Sequence, residues 1–217
     1  MFARRRFLGG ALAAAGLAAL PALAARPAPR VVMLGDSLTA GFGLPPGQGL
    51  VAQLHRWLAA RGHRARLIDA GLSGDTSYGG RVRAAWLLDR TADAVVVELG
   101  ANDMLMGWPV SRTEANLDAI LTRAGKGGRP VLLVGIHPHP RVSATAKRDW
   151  IALWPRLAAR HGALLLPDIY APIRSASPTR RQTLLQRDGL HASVRGTAAM
   201  VDLLGPEMVA LLDRVGR

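Results

Sequence analysis

The sequence contains no cysteine, which excludes a disulfide framework, a thiolate metal site, a cysteine nucleophile and a lipid-modified cysteine. Aromatic residues are scarce, 5% of 217 residues, with three Phe and two Tyr. Lysine is scarcer still, because of 28 basic residues only Lys126 and Lys147 are lysines. The arginines that make up the rest are scattered, with no basic stripe and little interleaved aromatic surface, so no nucleic-acid partner is expected. The 24 Gly and 14 Pro follow no collagen-like period. The one long apolar run, Phe7–Leu20, is too short and too rich in Ala and Gly to read as a membrane span.

What is present is a folding chain. Hydrophobic residues make up 49% and charged residues 20%, enough for one domain with a proper core. Met1–Arg30 reads as an export segment: Arg4, Arg5 and Arg6 form a positive head, Phe7–Leu20 an apolar run, and Ala22-Leu23-Ala24 a small-residue cleavage site. The order Arg4-Arg5-Arg6-Phe7-Leu8 is similar to a bacterial twin-arginine signal, an ordinary Sec signal being the alternative. The expected division is a signal peptide over 1–24 and one domain over 25–217, periplasmic or secreted. Cleavage removes three arginines and no acid from a balance of +13, leaving +10. Such a charge favours peripheral contact with an anionic membrane surface or acidic substrates.

Short apolar runs at Val31–Leu34, Arg66–Ala70, Ala94–Leu99, Val131–Ile136 and Ala163–Leu166 predict strands covered on both faces. Between them lie helical patterns: Leu50 to Arg61, Arg81–Arg90, a helix capped by Ser111 with Glu114 completing a capping box, and Lys147–His161 with a kink or restart at Pro155. A last helix is expected from Val194 to Val215, interrupted near Gly205-Pro206. Alternation of this kind predicts an α/β fold with a parallel sheet between helical layers.

In such sheets ligands bind beyond the carboxyl ends of the strands. Those ends carry Gly35-Asp36-Ser37, Gly71-Leu72-Ser73-Gly74-Asp75, Gly100-Ala101-Asn102-Asp103 and His137-Pro138-His139, and a late loop carries Asp188-Gly189-Leu190-His191. These residues suit acyl transfer. A serine hydroxyl needs a base and a histidine base needs an acceptor to set its tautomer. Asp188 and His191, three apart, supply the second pair, and Ser37 follows directly on a strand. An oxyanion needs convergent donors, and the backbone N–H groups of Ser37 and Gly74 with the Asn102 amide are candidates. Each fragment alone has a plainer reading: Gly-Asp-Ser and Asn102-Asp103 as helix caps, Gly74 as a tight turn, Asp-x-x-His as coincidence.

Together the segments Gly35-Asp36-Ser37-Leu38, Gly71-Leu72-Ser73-Gly74-Asp75-Thr76, Leu99-Gly100-Ala101-Asn102-Asp103 and Asp188-Gly189-Leu190-His191 resemble the four diagnostic blocks of the SGNH/GDSL hydrolases. The similarity is greatest to the small periplasmic multifunctional esterases, also described as arylesterases, acyl-CoA thioesterases or lysophospholipases. It extends across the chain after residue 24 and includes Thr113-Glu114-Ala115-Asn116-Leu117. The resemblance implies Ser37 as nucleophile, His191 as general base and acid, Asp188 as its orienter, and Ser37, Gly74 and Asn102 as the oxyanion hole. It implies a three-layer α/β/α flavodoxin-like fold, a five-stranded parallel sheet of order 2-1-3-4-5, and neither cofactor nor metal. Substrates would be small acyl esters or thioesters, met by a monomer. A carbohydrate O-acetylesterase and a catalytically silent envelope-binding module are the alternatives. The chain departs from the family at Met104-Leu105-Met106-Gly107, where relatives often carry Gly-Leu-Arg-Gly, and at His137-Pro138-His139. Met104, Leu105 and Met106 are expected to form an apolar substrate lining, and His137 to sit on the pocket rim.

Overall fold

The computed structural model describes residues 27–88, 91–139 and 142–216. Residues 1–26 of the expected export segment, with its division at residue 24, and Pro140-Arg141 lie outside these described residues, while Arg30, its last residue, already belongs to the first strand. In chain order the elements are β1 (Arg30–Gly35), α1 (Ser37–Ala40), α2 (Leu50–Ala59), β2 (Arg66–Gly71), α3 (Ser77–Leu87), β3 (Ala94–Glu98), α4 (Ala101–Leu105) and α5 (Val110–Ala124). They continue with β4 (Val131–Val134), α6 (Ala144–His161), β5 (Leu164–Leu166), α7 (Ala171–Arg174), α8 (Pro178–Leu184) and α9 (Val194–Leu212).

The strands form one parallel sheet of order β2-β1-β3-β4-β5. Alternate side chains of each strand feed two cores, as the period of two requires. Val31, Met33, Val96, Leu132 and Val134 pack with Leu50, Leu54 and Leu58 of α2 and Met200, Leu204 and Met208 of α9. Val32, Leu34, Val95, Val97 and Leu133 pack on the other side with Leu117, Ile120 and Leu121 of α5 and Trp150, Leu153 and Trp154 of α6. Helices therefore cover both faces, which explains the near-continuous apolar strands.

The chain leaves β1 for β2 on one side, and β3 adds on the other. In register, Gly35 sits opposite both Gly71 and Glu98. The loops after β1, β2 and β3 consequently leave the sheet at one level, around the point where the strand order reverses. Gly71 also lets α1 lie directly on β2, since a Cβ there would stand 2.3 Å from the Ala40 backbone nitrogen.

Three helix expectations need correction, and the choice between kink and restart at Pro155 narrows to exclude the restart. α3 begins at Ser77 rather than Arg81, because the Thr76 hydroxyl caps it by accepting from Gly79 N. α5 starts after Pro109 with no side-chain cap, so Ser111 is not its cap. Glu114 turns instead to Arg156 and Arg160 of α6, at 2.7 and 3.3 Å. α6 runs through Pro155 without restarting, held by the buried side chains of Trp150, Leu153, Trp154 and Leu157. α9 likewise continues through Pro206. Trp57 presses against Gly205 and donates its indole N–H to Asp202 at 3.0 Å, so tertiary packing outweighs the backbone hydrogen bond that the proline removes. The short helices α1, α4, α7 and α8 are too brief to show a helical period in the sequence.

Candidate active site

Asp36 is the N-cap of α1: its Oδ1 accepts from Leu38 N at 3.0 Å. Ser37 is thereby placed at the first position of the helix, facing the late loop. Its Oγ lies 2.9 Å from His191 Nε2, and His191 Nδ1 lies 2.7 Å from Asp188 Oδ2. Asp188 Oδ1 also accepts from the backbone N–H groups of Leu190 and His191, at 2.9 and 3.0 Å. One carboxylate thus closes the loop and orients the ring, which places the ring proton on Nδ1 and leaves Nε2 to accept from Ser37. Partial burial works to raise the Asp188 pKa, but the His191 ring and the two backbone donors outweigh it and hold it at about 2.

The candidate oxyanion donors Gly74 and Asn102 follow β2 and β3. Gly74 has φ +81°, with nothing within 4 Å of where a Cβ would be, so its glycine answers to backbone conformation rather than crowding. Asn102, in the first turn of α4, donates from Nδ2 to Asp75 O at 2.7 Å and to Asp36 Oδ2 at 3.2 Å. The Gly74-Asp75 turn is anchored by Arg83, which bonds the Asp75 carboxylate, Ala70 O and Gly35 O. Asp103 is fully buried. It accepts from Ser77 N at 2.8 Å, from the Ser77 hydroxyl, and from Thr113 Oγ1 at 3.0 Å, while Asn116 donates to Ser77 Oγ at 3.0 Å. This network ties α4, and hence Asn102, to α3 and α5. Asp103 is a brace between helices, not a cap of its own helix.

The structure brings Ser37, His191, Asp188, Gly74 and Asn102 to one edge of the sheet. The expected lining divides. Met104 is 6% exposed and packs in the core beneath the loop, its sulfur accepting from His139 N at 3.4 Å; it is not a lining residue. A buried, unbranched side chain next to a turn fills space more readily than it greets a ligand. Leu105 and Met106 are about half exposed. His137 is exposed, its backbone N–H bonded to Asp168 and its ring to Pro138 O. Among the described residues no three His, Asp or Glu side chains gather as a metal-binding set.

Sequence reasoning passed over Gln186. Its backbone N–H donates to His191 O at 2.8 Å, and its side-chain amide donates to Phe42 O at 2.8 Å and Ala192 O at 3.0 Å. Phe42 in turn packs its ring 4.6 Å from that of His191 and donates its N–H to Ser37 O. Gln186 therefore bolts the serine turn to the histidine loop across 144 residues of chain. Its position two residues before Asp188 was the only hint, and a lone glutamine in a loop is a weak one. A second omission lies beneath the serine, where Glu98 is buried and accepts from Thr39 Oγ1 at 2.9 Å. Burial and the nearby Asp36 charge push the Glu98 carboxyl well above its usual range. Burial likewise raises Asp36 to about 6, against the opposing pull of Leu38 N and His191.

The profile of the GDSL-like Lipase/Acylhydrolase family matches residues 33–199, a span that takes in every residue of this site. The chain belongs to that family. Among curated members it is 32% identical over 183 residues to "Esterase TesA" of Pseudomonas aeruginosa, covering 84% of this chain and 89% of that protein. It is 27% identical over 185 residues to "Thioesterase 1/protease 1/lysophospholipase L1" of Escherichia coli K12, covering 84% and 85% respectively. The crystal structure of TesA superposes with a TM-score of 0.76 at 30% identity, covering 84% of this chain and 99% of that one. The three-layer fold and strand order of this GDSL hydrolase match those of its structural neighbours.

Proposed function

We propose that the protein is an exported, monomeric serine esterase that cleaves carboxylic esters and thioesters through a Ser37 acyl-enzyme. The observation that carries this is the run of contacts from Ser37 Oγ through His191 to Asp188, at 2.9 and 2.7 Å. Ser37 Oγ adds to the carbonyl carbon while its proton passes to His191 Nε2. The resulting oxyanion is met by the backbone N–H groups of Ser37 and Gly74 and by the Asn102 amide. Asn102 already gives both Nδ2 hydrogens away. The longer bond, to Asp36, is the one released to the oxyanion, while the 2.7 Å bond to Asp75 O keeps the amide aimed. Collapse breaks the ester bond, and His191 returns the proton to the departing alcohol or thiol. Water then adds to the acyl-enzyme with His191 as base, releasing the carboxylic acid and restoring Ser37.

Aryl esters, short- to medium-chain acyl esters and lysophospholipids are the substrate classes; relatives named esterase, arylesterase and thioesterase/lysophospholipase support ester and thioester hydrolysis, and the chain length is part of the proposal. Leu105 and Met106 supply exposed apolar surface beside Asn102 for the acyl or aryl group. Arg4 and Arg5 direct export by the twin-arginine route, and the basic protein then meets anionic envelope lipid. The test is hydrolysis of a p-nitrophenyl ester series, acetate through palmitate, by the wild type and Ser37→Ala. Activity lost in the folded variant is expected. Activity retained would remove Ser37 from the chemistry. Inactivity of the wild type on every ester, with no labelling by a serine-directed fluorophosphonate, would overturn the reading.

A further inference from the structure

Helix α3 is packed inside out. Its buried residues are Ser77, Gly80 and Ala84. A Cβ on Gly80 would stand 2.2 Å from Leu99 Cδ1, so the helix lies too close to the sheet and α5 for any large inward side chain. Its large apolar residues face the other way: Tyr78, Val82 and Trp86 are 53, 52 and 66% exposed. Spaced by four, they form one stripe about 12 Å long on the outer surface. Leu72, 51% exposed, stands in the turn that leads into the helix. By contrast α2 buries Leu50, Leu54 and Leu58 in the ordinary way.

Among the described residues, the charged side chains on α3 and those reaching it from α5 are arginines. Arg81 is exposed on α3 and reaches the neutral amide of Asn116, and Arg123 of α5 bonds the backbone carbonyl of Ala85. Neither contact neutralises a guanidinium. α3 itself contains no acid. Of the described acids on the segments that flank it, Asp75 is paired with Arg83, Glu114 and Asp118 with Arg156, Arg160 and His161 on the far side of α5, and Asp93 accepts from Arg30 N. An apolar stripe flanked by uncompensated arginines suits a surface that is anionic at its face and apolar beneath. A second copy of this basic chain suits it less, since a two-fold contact would set like arginines against each other.

We propose that α3 is the face by which the protein docks on an anionic phospholipid surface, with Tyr78, Val82 and Trp86 entering the interfacial layer and Arg81 and Arg123 meeting the headgroups. This names the contact face for the envelope encounter proposed above. α3 starts directly after the Gly74-Asp75 turn, so docking sets the Ser37 edge beside the lipid from which an acyl substrate would come.

The test uses the protein purified after expression of the full chain, and sedimentation with phosphatidylcholine vesicles with and without phosphatidylglycerol. Binding is expected only to the anionic vesicles, and brominated lipid should quench tryptophan fluorescence. The double variant Val82→Ser/Trp86→Ser should bind about tenfold more weakly or worse. Arg123→Gln should bind about fivefold more weakly at low salt. Hydrolysis of soluble p-nitrophenyl acetate should be unchanged in both variants, so the docking face and the esterase reading fail separately. No binding of the wild type to anionic vesicles would overturn the proposal, as would binding untouched by the double variant. A concentration-dependent dimer abolished by the double variant would assign the stripe to a second copy instead.

Discussion

Asp36 and Asp188 flank the same Ser37–His191 pair, and their surroundings drive them in opposite directions. Asp36 is 2% exposed, and burial lifts it to about 6. The Asp188 side chain is 40% exposed, and its three donors hold it at about 2. Asp188 is held in its anionic form at neutral pH and bonds the His191 ring. Asp36 caps a helix, accepts a hydrogen of Asn102, and is buried near Glu98, where burial opposes its charge. The aspartate inside the Gly-Asp-Ser motif thus bonds the Asn102 amide, and the one 152 residues later bonds the His191 ring. Partners and hydration assign the role of a carboxylate, not its nearness to the serine in sequence.

The largest expected effect tests the Asp36 side of this contrast through its client. Asn102→Ala should lower kcat by about 10²–10³ with KM little changed, the cost of one oxyanion donor. Full turnover in that variant would leave Asp36 with nothing to position. Next comes Asp188→Asn, which removes the charge beside His191 and no longer enforces one tautomer. Because the side chain is partly hydrated, a fall in kcat/KM of about 10² is expected, less than for a fully buried orienter. A change under about threefold would show that backbone and Gln186 contacts orient the ring unaided.

Asp36→Asn should separate function from stability. An amide there can still accept from Leu38 N, but it turns a donor toward the Asn102 amide, so kcat should fall about tenfold. Thermal stability at pH 7 should not fall with it, since an ionised carboxylate in a dry site opposes folding. A loss of both together would mean that the carboxylate is chiefly a structural cap.

The smallest effect is in pH-dependent stability, and its sign differs between the two groups. Asp36 binds its proton more tightly folded than unfolded, so its contribution declines as pH rises from about 4 to about 6. Asp188 binds its proton less tightly folded, so its contribution is complete above about 4 and lost as pH falls toward 2. Urea midpoints between pH 2 and 7 should show the upper slope flattened in Asp36→Asn and the lower one in Asp188→Asn. Identical profiles in the two variants would erase the contrast.

Much of this molecule was legible in the linear chain because the signals are local. Strands buried on both faces read as short apolar runs, and the loops that follow them carry small and polar residues in a recognisable order. Where tertiary contact overrode a local rule, reading failed: α9 runs through Pro206 because Trp57 grips Gly205, and Glu114 abandons a capping box for two arginines of α6. Met104 looks like lining in sequence and is core in space, because periodicity cannot tell the two sides of a five-residue helix apart.

The sequence by itself determined the layered α/β architecture, the strand order through its resemblance, and the candidates Ser37, Gly74, Asn102, Asp188 and His191. These depend on residue type and chain position. Only the tertiary structure decided that Gln186 joins the two halves of the site, that Asp36 and Glu98 are buried close together, and that α3 turns its large side chains outward. Those features arise between segments far apart in the chain. What sets them is distance, burial and direction, and a sequence carries none of these until it is folded.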